Sequence, residues 1–308
     1  MNLATIDVGT NTTLLLVAAG THAADVRVLE EHAEITRLGR GIGGDGRLGR
    51  EGIERTLAVL RRYAERIRHH GARLRAIGTE ALRRAPNADE FLGPAAEILG
   101  APIEVIDGER EAELTYRAAT TSFLQLSGRP FVVIDIGGGS TEVIVAEAGE
   151  VKSRVSLSLG SVRLTERFVK HDPPTAEERA AIEAELGTQL SSHLPKRAGN
   201  DDERFQLVGT AGTVTTLAAM ALALDTYDPD RVHGYRLSRA ALDGEVQRLQ
   251  RSTQAERERM PGLDPRRADV IFAGSCILRA FVERLGVDAV LVNDRGIRWG
   301  LLYEALGG

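Results

Sequence analysis

Apolar and polar positions alternate and cluster along this chain in a way that predicts strands and helices in turn. Residues 6–17 read IDVGTNTTLLLV and residues 134–145 read IDIGGGSTEVIV. Each is an apolar run ending in Asp, a turn of Gly with small hydroxyl or amide residues, and a second β-rich run, so each predicts a strand–turn–strand hairpin. Between them, 25–38 predicts an extended arm and LGRGIGGDGRLG a loop. Ile53, Leu57, Leu60, Ala64 and Ile67 fall at helical spacing and predict a helix over 51–70, with arginines on its other face. RLRAIGTEAL predicts a buried strand running into a turn, Asn87 a cap for a helix reaching Leu99, 102–106 a short strand, and 109–124 a helix.

The second half repeats the alternation. Strands are predicted near 131–135, 141–146 and 151–157, with helices near 161–170 and 175–194. PKRAGNDDER predicts a surface loop, 206–209 a strand, and GTAGT (209–213) a loop before a buried helix. Helices near 238–251 and 266–285, a strand at 289–293 and a last helix at 296–306 complete the pattern. LSGRP (126–130) is the linker candidate, which gives two domains, 1–126 and 127–308, with the last helix able to return to the first. Asp7 matches Asp135, Gly9 matches Gly137 and Thr13 matches Thr141. Repetition of a Gly hairpin with its Asp in place is a far stronger signal than one copy.

Composition narrows the chemistry. The chain has 308 residues, 43% hydrophobic and 27% charged, which suits a soluble protein of two domains. The start, MNLATIDVG, lacks a basic region and carries Asp7 in its apolar run, so no signal peptide is expected. The uncharged stretch 207–224 begins with a Gly/Thr turn that lipid would leave unsatisfied, so a strand, loop and buried helix are expected there and no membrane partner. Cys276 is the single cysteine, which excludes an intrachain disulfide or a cysteine-based zinc site; its apolar neighbours predict a core residue. Adjacent His69 and His70 are expected to be solvated. A net charge of −5 argues against a general polyanion-binding surface, DNA included. Any phosphate-rich ligand must therefore meet a local cluster of donors, with arginine as its main cation.

Glycine turns whose backbone N–H groups can face an anion fit such a cluster. GTAGT, set before a helix, adds a helix N-terminus. Asx caps and plain tight turns are the competing readings of these residues.

Together with RLGRGIGGDGRL (37–48), GTEALRRAPNADEFL (78–92), EVIDGEREAELTY (104–116), SLGSVRLTERF (158–168), VGTAGTVTTLAAM (208–220), VHGYRLS (232–238), ADVIFAGSCIL (268–278) and NDRGIRWGLL (293–302), the two hairpins resemble the exopolyphosphatase/guanosine pentaphosphate phosphohydrolase family. The likeness spans nearly the whole chain. It implies an α/β fold of duplicated actin-like (ribonuclease H-like) domains, of the actin–Hsp70–sugar kinase superfamily, with the active site in the interdomain cleft. The chain looks like the short, two-domain form, without the helical domains that serve long substrates in larger relatives.

The resemblance implies hydrolysis of the terminal phosphoanhydride of polyphosphate, with pppGpp as the alternative substrate and a non-turnover alarmone- or polyphosphate-binding protein as a second alternative. It also implies a Mg²⁺ or Mn²⁺ cofactor, a cytoplasmic location and a homodimer. Asp135 and Glu142, with Asp7, are expected to hold the metal directly or through water. Glu111, in GEREAEL, is expected to activate the attacking water; Glu109 and Glu113 flank it. Here Arg110 stands where the family commonly has an acid, and Glu113 where it has a base. Arg83 resembles the family's phosphate-facing arginine, with Arg84 solvated beside it. Thr10, Asn11 and Thr12 in the first turn, Gly137, Gly138, Gly139 and Ser140 in the second, and Gly209, Thr210, Gly212 and Thr213 in the third loop are the expected phosphate donors. His233 is equally readable as a hydrogen-bonded structural histidine. A sugar or acetate kinase shares the fold, yet no adenosine or sugar-binding motif stands out.

Overall fold

The computed structural model describes residues 1–42, 46–123, 126, 129–147, 149–194 and 205–307. The surface loop expected at 195–204 lies outside the described residues, as do positions 127 and 128 of the linker candidate. Contacts divide the chain into two units, Met1–Thr121 with Gly296–Gly308, and Ser122–Arg295.

Unit one holds β1 (Asn2–Val8), β2 (Thr12–Ala19), β3 (Arg27–Ile35), β4 (Arg73–Gly78) and β5 (Ile103–Val105), in the order β3-β2-β1-β4-β5. β2 runs antiparallel to both β1 and β3, while β4 pairs parallel with β1 and β5 parallel with β4. β1 is buried on both faces after Asn2, which is why its sequence is a continuous apolar run and not an alternation. The helix Arg50–His69 buries Ile53, Leu57, Leu60, Ala64 and Ile67. The terminal helix Ile297–Ala305 packs Trp299, Leu302 and Tyr303 with Leu3, Leu16 and Ala18. Each large apolar side chain so buried contributes about 1.5–3 kcal/mol.

Unit two repeats the scheme with β6 (Phe131–Ile136), β7 (Thr141–Glu147), β8 (Glu150–Leu157), β9 (Gln206–Thr210), β10 (Arg236–Ser238) and β11 (Ala289–Asn293), ordered β10-β11-β9-β6-β7-β8. β6, β7, β8, β9 and β11 occupy the places of β1 to β5, with the same antiparallel and parallel pairings. This is the duplicated actin-like α/β fold. β10 is an added edge strand that three residues, RLS, are too short to announce by alternation.

Several local expectations need correction. Asn87 does not cap the helix Asp89–Leu99: Ala88 holds that position, and the buried Asn87 carboxamide accepts from Leu48 N–H at 2.8 Å and donates to Leu48 O at 3.2 Å. GTAGT is no separate loop, because β9 ends at Thr210 and the helix Ala211–Ala221 starts at once. The helix expected from 266 begins at Ile271, since Asp264 and Pro265 turn Pro265–Arg267 into a 3₁₀ turn. His70 is not merely solvated; its Nε2 lies 2.9 Å from Glu30 Oε1. Cys276 is buried as expected, and burial pushes its thiol up to about 12. Among the described residues, no helix is long and apolar enough to cross a membrane.

Candidate active site

Each unit builds its glycine turn in the same way. In unit one, Gly9 N–H donates to Thr12 O at 3.0 Å, closing the β1–β2 hairpin. The segment after β3 then clamps the turn: Thr36 and Arg37 N–H donate to Asn11 O at 3.0 and 2.9 Å, and Gly39 N–H to Thr10 O at 2.9 Å. In unit two, Gly137 N–H donates to Ser140 O at 3.0 Å, and the segment after β8 clamps that turn. Ser161 N–H donates to Gly137 O at 3.0 Å and Val162 N–H to Gly138 O at 2.9 Å. Arg163 Nε donates to Gly139 O at 2.7 Å.

The clamp reveals a second repeat, Leu38–Gly39 and Leu159–Gly160. Both leucines are buried. A Cβ on Gly39 would lie 2.4 Å from Thr10 Cγ2, and one on Gly160 would lie 2.3 Å from Gly138 O. Only glycine permits so close an approach. With the carbonyls of the second turn committed to the clamp, the N–H groups of Gly138, Gly139 and Ser140 take part in no backbone–backbone hydrogen bond among the described residues. They are the groups an anion would use.

The carboxylates of unit two are set by strand register. Asp135 on β6 stands opposite Glu142 on β7 and opposite Thr210 on β9. Glu142 is 1% exposed, and its Oε1 accepts from Ser156 Oγ on β8 at 2.7 Å. Thr210 Oγ1 is buried and has no hydrogen-bond partner among the described residues. Ala211, which follows, has φ +67°, a left-handed conformation that costs an alanine about 1 kcal/mol or more.

The rest of the third loop separates into roles that the motif alone did not distinguish. Gly209 lies inside β9, and its missing side chain makes room for Val214 and Val290. Thr213 packs against Gly274. Gly212 faces the guanidinium of Arg267, whose Nη1 would sit 2.2 Å from an added Cβ. Burial pulls the Arg267 pKa down, against the pull of Asp264 and Tyr227. Arg267 and Ser156 are the functional candidates that sequence reasoning missed.

In unit one, Asp107 caps the helix Gly108–Ser122 by accepting from Arg110 N–H at 2.8 Å. Glu111, in its first turn, is 8% exposed, and Arg83 Nη1 lies 3.4 Å from its Oε2 while donating to Ile106 O at 2.7 Å. Glu109 is exposed. Glu113 is tied to Arg110 at 2.8 Å, so the charge exchange at 110 and 113 yields an ion pair. Arg84 is half-exposed and paired with Glu80. Asp7, Asn11, Arg83 and Glu111 thus belong to unit one, and Asp135, Glu142 and the loop at Thr210 to unit two.

Among the described residues, no three His, Cys, Asp or Glu side chains gather into a metal-holding group. What Asp135, Glu142 and Thr210 offer is a sparse set of oxygens, suited to a hard cation that keeps several of its waters. His233, readable in the sequence as a structural histidine, lies against an aromatic ring. Its ring stacks on Phe123, centroids 4.8 Å apart, and its buried Nδ1 has no hydrogen-bond partner among the described residues. Burial, helped by Arg295, pulls its pKa down to about 4.

The family model described as "Ppx/GppA phosphatase family" matches residues 16–307. Exopolyphosphatase 2 of Mycobacterium tuberculosis is 37% identical over 318 residues, covering 99% of this chain and 98% of that protein. The crystal structure of the Ppx/GppA family member of Aquifex aeolicus superposes with a TM-score of 0.81 at 35% identity, covering 99% and 97% of the two chains. That of an exopolyphosphatase from Cytophaga hutchinsonii gives 0.87 at 27% identity, covering 100% and 98%.

Proposed function

The chain belongs to the Ppx/GppA phosphatase family, and on that premise we propose that it hydrolyses the terminal phosphoanhydride of inorganic polyphosphate. The observation that carries the assignment of roles is the burial of Glu111 against Arg83, while Glu109 is solvated and Glu113 is held by Arg110. Of the three, Glu111 is the enclosed carboxylate beside the arginine assigned to the phosphate, and we give it the task of orienting a water and taking its proton.

The other residues divide the remaining work. In unit two the N–H groups of Gly138, Gly139 and Ser140 are suited to phosphate oxygens, and in unit one the Thr10–Thr12 turn is the matching candidate. The N-terminus of the helix Ala211–Ala221 favours an anion through its dipole, and Thr210 Oγ1 and Arg267 add donors there. Arg83 supplies a planar fork for a phosphoryl group and remains charged when enclosed. Asp135 and Glu142 would hold Mg²⁺, with waters completing its shell. When bound, Mg²⁺ would neutralise charge on the phosphoryl oxygens and on the leaving group. Ser156 fixes the Glu142 carboxylate for that duty. In the attack, Glu111 accepts the proton of the water, and the oxygen–phosphorus bond to the shortened chain breaks opposite the incoming oxygen.

Polyphosphate is preferred as the first substrate to test because a relative sharing 37% of its residues over 99% of this chain bears the name exopolyphosphatase. pppGpp presents the same kind of bond and is the necessary comparator. The homodimer and the cytoplasmic location implied by the resemblance belong to the same proposal. The experiment is phosphate release from polyphosphates of graded length and from pppGpp, with Mg²⁺ and no phosphoryl acceptor. Higher kcat/KM on polyphosphate supports the reading. Higher kcat/KM on pppGpp replaces the substrate, and no release from either overturns the activity.

A further inference from the structure

The terminal helix Ile297–Ala305 meets the helix that carries Glu111 at Leu114. Gly300 meets its backbone directly: a Cβ there would stand 1.9 Å from Leu114 O and 2.6 Å from Leu114 C. Ile297 and Leu301 pack around the same point with Leu114, Ile77 and Ile106. One turn nearer the chain end, Glu304 accepts from Arg110 Nη2 at 2.5 Å through one oxygen and from Arg75 Nη1 at 2.7 Å through the other. Burial pushes the Glu304 carboxyl up, but the two arginines outweigh it and hold it below the usual carboxylate range.

The two arginines sit on different elements. Arg75 is on β4, and β4 runs through Gly78 into the short helix Glu80–Arg84, which carries Arg83. Arg110 is in the first turn of the Glu111 helix, whose N–H groups lack helical partners and which Asp107 caps at a single N–H. Glu304 therefore bridges the element that places Arg83 to the element that places Glu111. The geometry makes that bridge consequential. Rotation of a helix by about 20° carries a side-chain end at a radius of roughly 5–6 Å by about 2 Å. Such a shift would separate Glu111 from Arg83, now 3.4 Å apart.

We propose that Glu304 and Gly300 are positioning residues for Glu111: Gly300 sets the depth of the helix Gly108–Ser122 at Leu114, and Glu304 fixes its rotation through Arg110 against Arg75. The inference rests on the reading of Glu111 as the base. Neither residue touches substrate; both act on the reaction through where Glu111 stands.

The test compares Glu304→Ala, Glu304→Gln and Gly300→Ala with Thr5→Val, Glu111→Gln and the double variant Glu111→Gln/Glu304→Ala. Thr5→Val removes a different tie of the same terminal helix, the Thr5 Oγ1 to Arg298 O hydrogen bond of 3.0 Å, without touching the Glu111 helix. Steady-state phosphate release from polyphosphate is measured with Mg²⁺, alongside binding of an imido-bridged polyphosphate. Trp299, the single tryptophan, lies on the terminal helix and is 4% exposed, so its emission reports whether that helix stays docked. Glu304→Ala is expected to cut kcat about tenfold or more, with KM, analogue binding and Trp299 emission near wild type. Glu304→Gln, whose single amide oxygen can accept from only one of the two arginines, is expected to recover at most part of the loss, and Thr5→Val to lower the melting temperature with kcat unchanged. In the Glu111→Gln background, Glu304→Ala should cost nothing further, because it acts through the group already removed. The proposal is overturned if kcat in Glu304→Ala falls no more than in Thr5→Val, or if its full loss reappears on top of Glu111→Gln. A mild Glu111→Gln would sink the base reading itself, and this inference with it, which the single variant distinguishes.

Discussion

Gly160→Ala is a one-carbon change whose effect can be worked from the clamp on the second turn. The new Cβ would lie 2.3 Å from Gly138 O and 2.4 Å from the carbonyl carbons of Gly138 and Gly139. Those are backbone atoms, so no side-chain rotation relieves the contact, and about 1 Å of separation is required for a normal carbon–oxygen contact. Moving the turn that far would stretch Val162 N–H to Gly138 O from 2.9 Å and Ser161 N–H to Gly137 O from 3.0 Å beyond hydrogen-bonding range. Overpacking costs about 1–3 kcal/mol and each lost hydrogen bond about 1 kcal/mol, giving on the order of 3–5 kcal/mol. At about 2–4 °C per kcal/mol for a unit of this size, the melting temperature should drop by roughly 6–20 °C. In the fraction that stays folded at 20 °C, a turn displaced by about 1 Å should cost roughly a hundredfold in kcat/KM. Thermal melting and phosphate release from polyphosphate measure the two effects. Gly187→Ala is the control, because nothing lies within 4 Å of a Cβ there and the site is inside the helix Ala176–His193; it should gain up to about 1 kcal/mol and keep full activity. Wild-type melting and activity in Gly160→Ala would refute the clamp as what holds the turn.

Two further outcomes are expected. Ser156→Ala should weaken Mn²⁺ binding about ten- to a hundredfold, read directly by calorimetry on the metal-free protein, because Glu142 loses the hydroxyl that orients it; unchanged affinity would remove Glu142 from the metal site. His233 has a folded pKa lowered to about 4 from an ordinary 6.5, so the unfolded chain binds its proton first: stability is full above pH 6.5 and falls as pH drops toward 4, by less than the shift alone implies because solvent screens a partly exposed ring. His233→Phe keeps a ring to stack on Phe123 and should flatten that decline in a pH series of urea melts, whereas an identical slope would deny His233 any part in it.

The duplication was legible because its signals are local: an Asp ending an apolar run, glycines, and a β-rich return, all within 12 residues. The helix Arg50–His69 was legible for the same reason, its buried positions recurring at helical spacing. The choice of Glu111 came from matching a motif, and burial now separates it from Glu109 and Glu113. The features that the sequence does not display depend on contacts between distant segments. Leu38–Gly39 and Leu159–Gly160 are dipeptides too short to register as a repeat, and their meaning lies in the turn each approaches. Ser156 reaches Glu142 across a strand pair, and Arg267 reaches Gly212 from another element. Asn87 has the chemistry of a helix cap, but the backbone of Leu48 claims its side chain first. The Glu304–Arg110 pair joins residues 194 positions apart, a distance over which no pattern in the sequence operates.

The most direct test of the central claim is single-turnover phosphate release from polyphosphate by Glu111→Gln, with Mg²⁺ present and no acceptor. The substitution keeps shape and hydrogen bonding but removes the proton acceptor. The rate should fall on the order of a hundred- to ten-thousandfold, while binding of the imido-bridged analogue changes little. Glu109→Gln and Glu113→Gln, measured beside it, should be mild, since Glu109 is solvated and Glu113 is held by Arg110. A near-wild-type rate in Glu111→Gln, or a crippling loss in Glu113→Gln instead, would contradict the account.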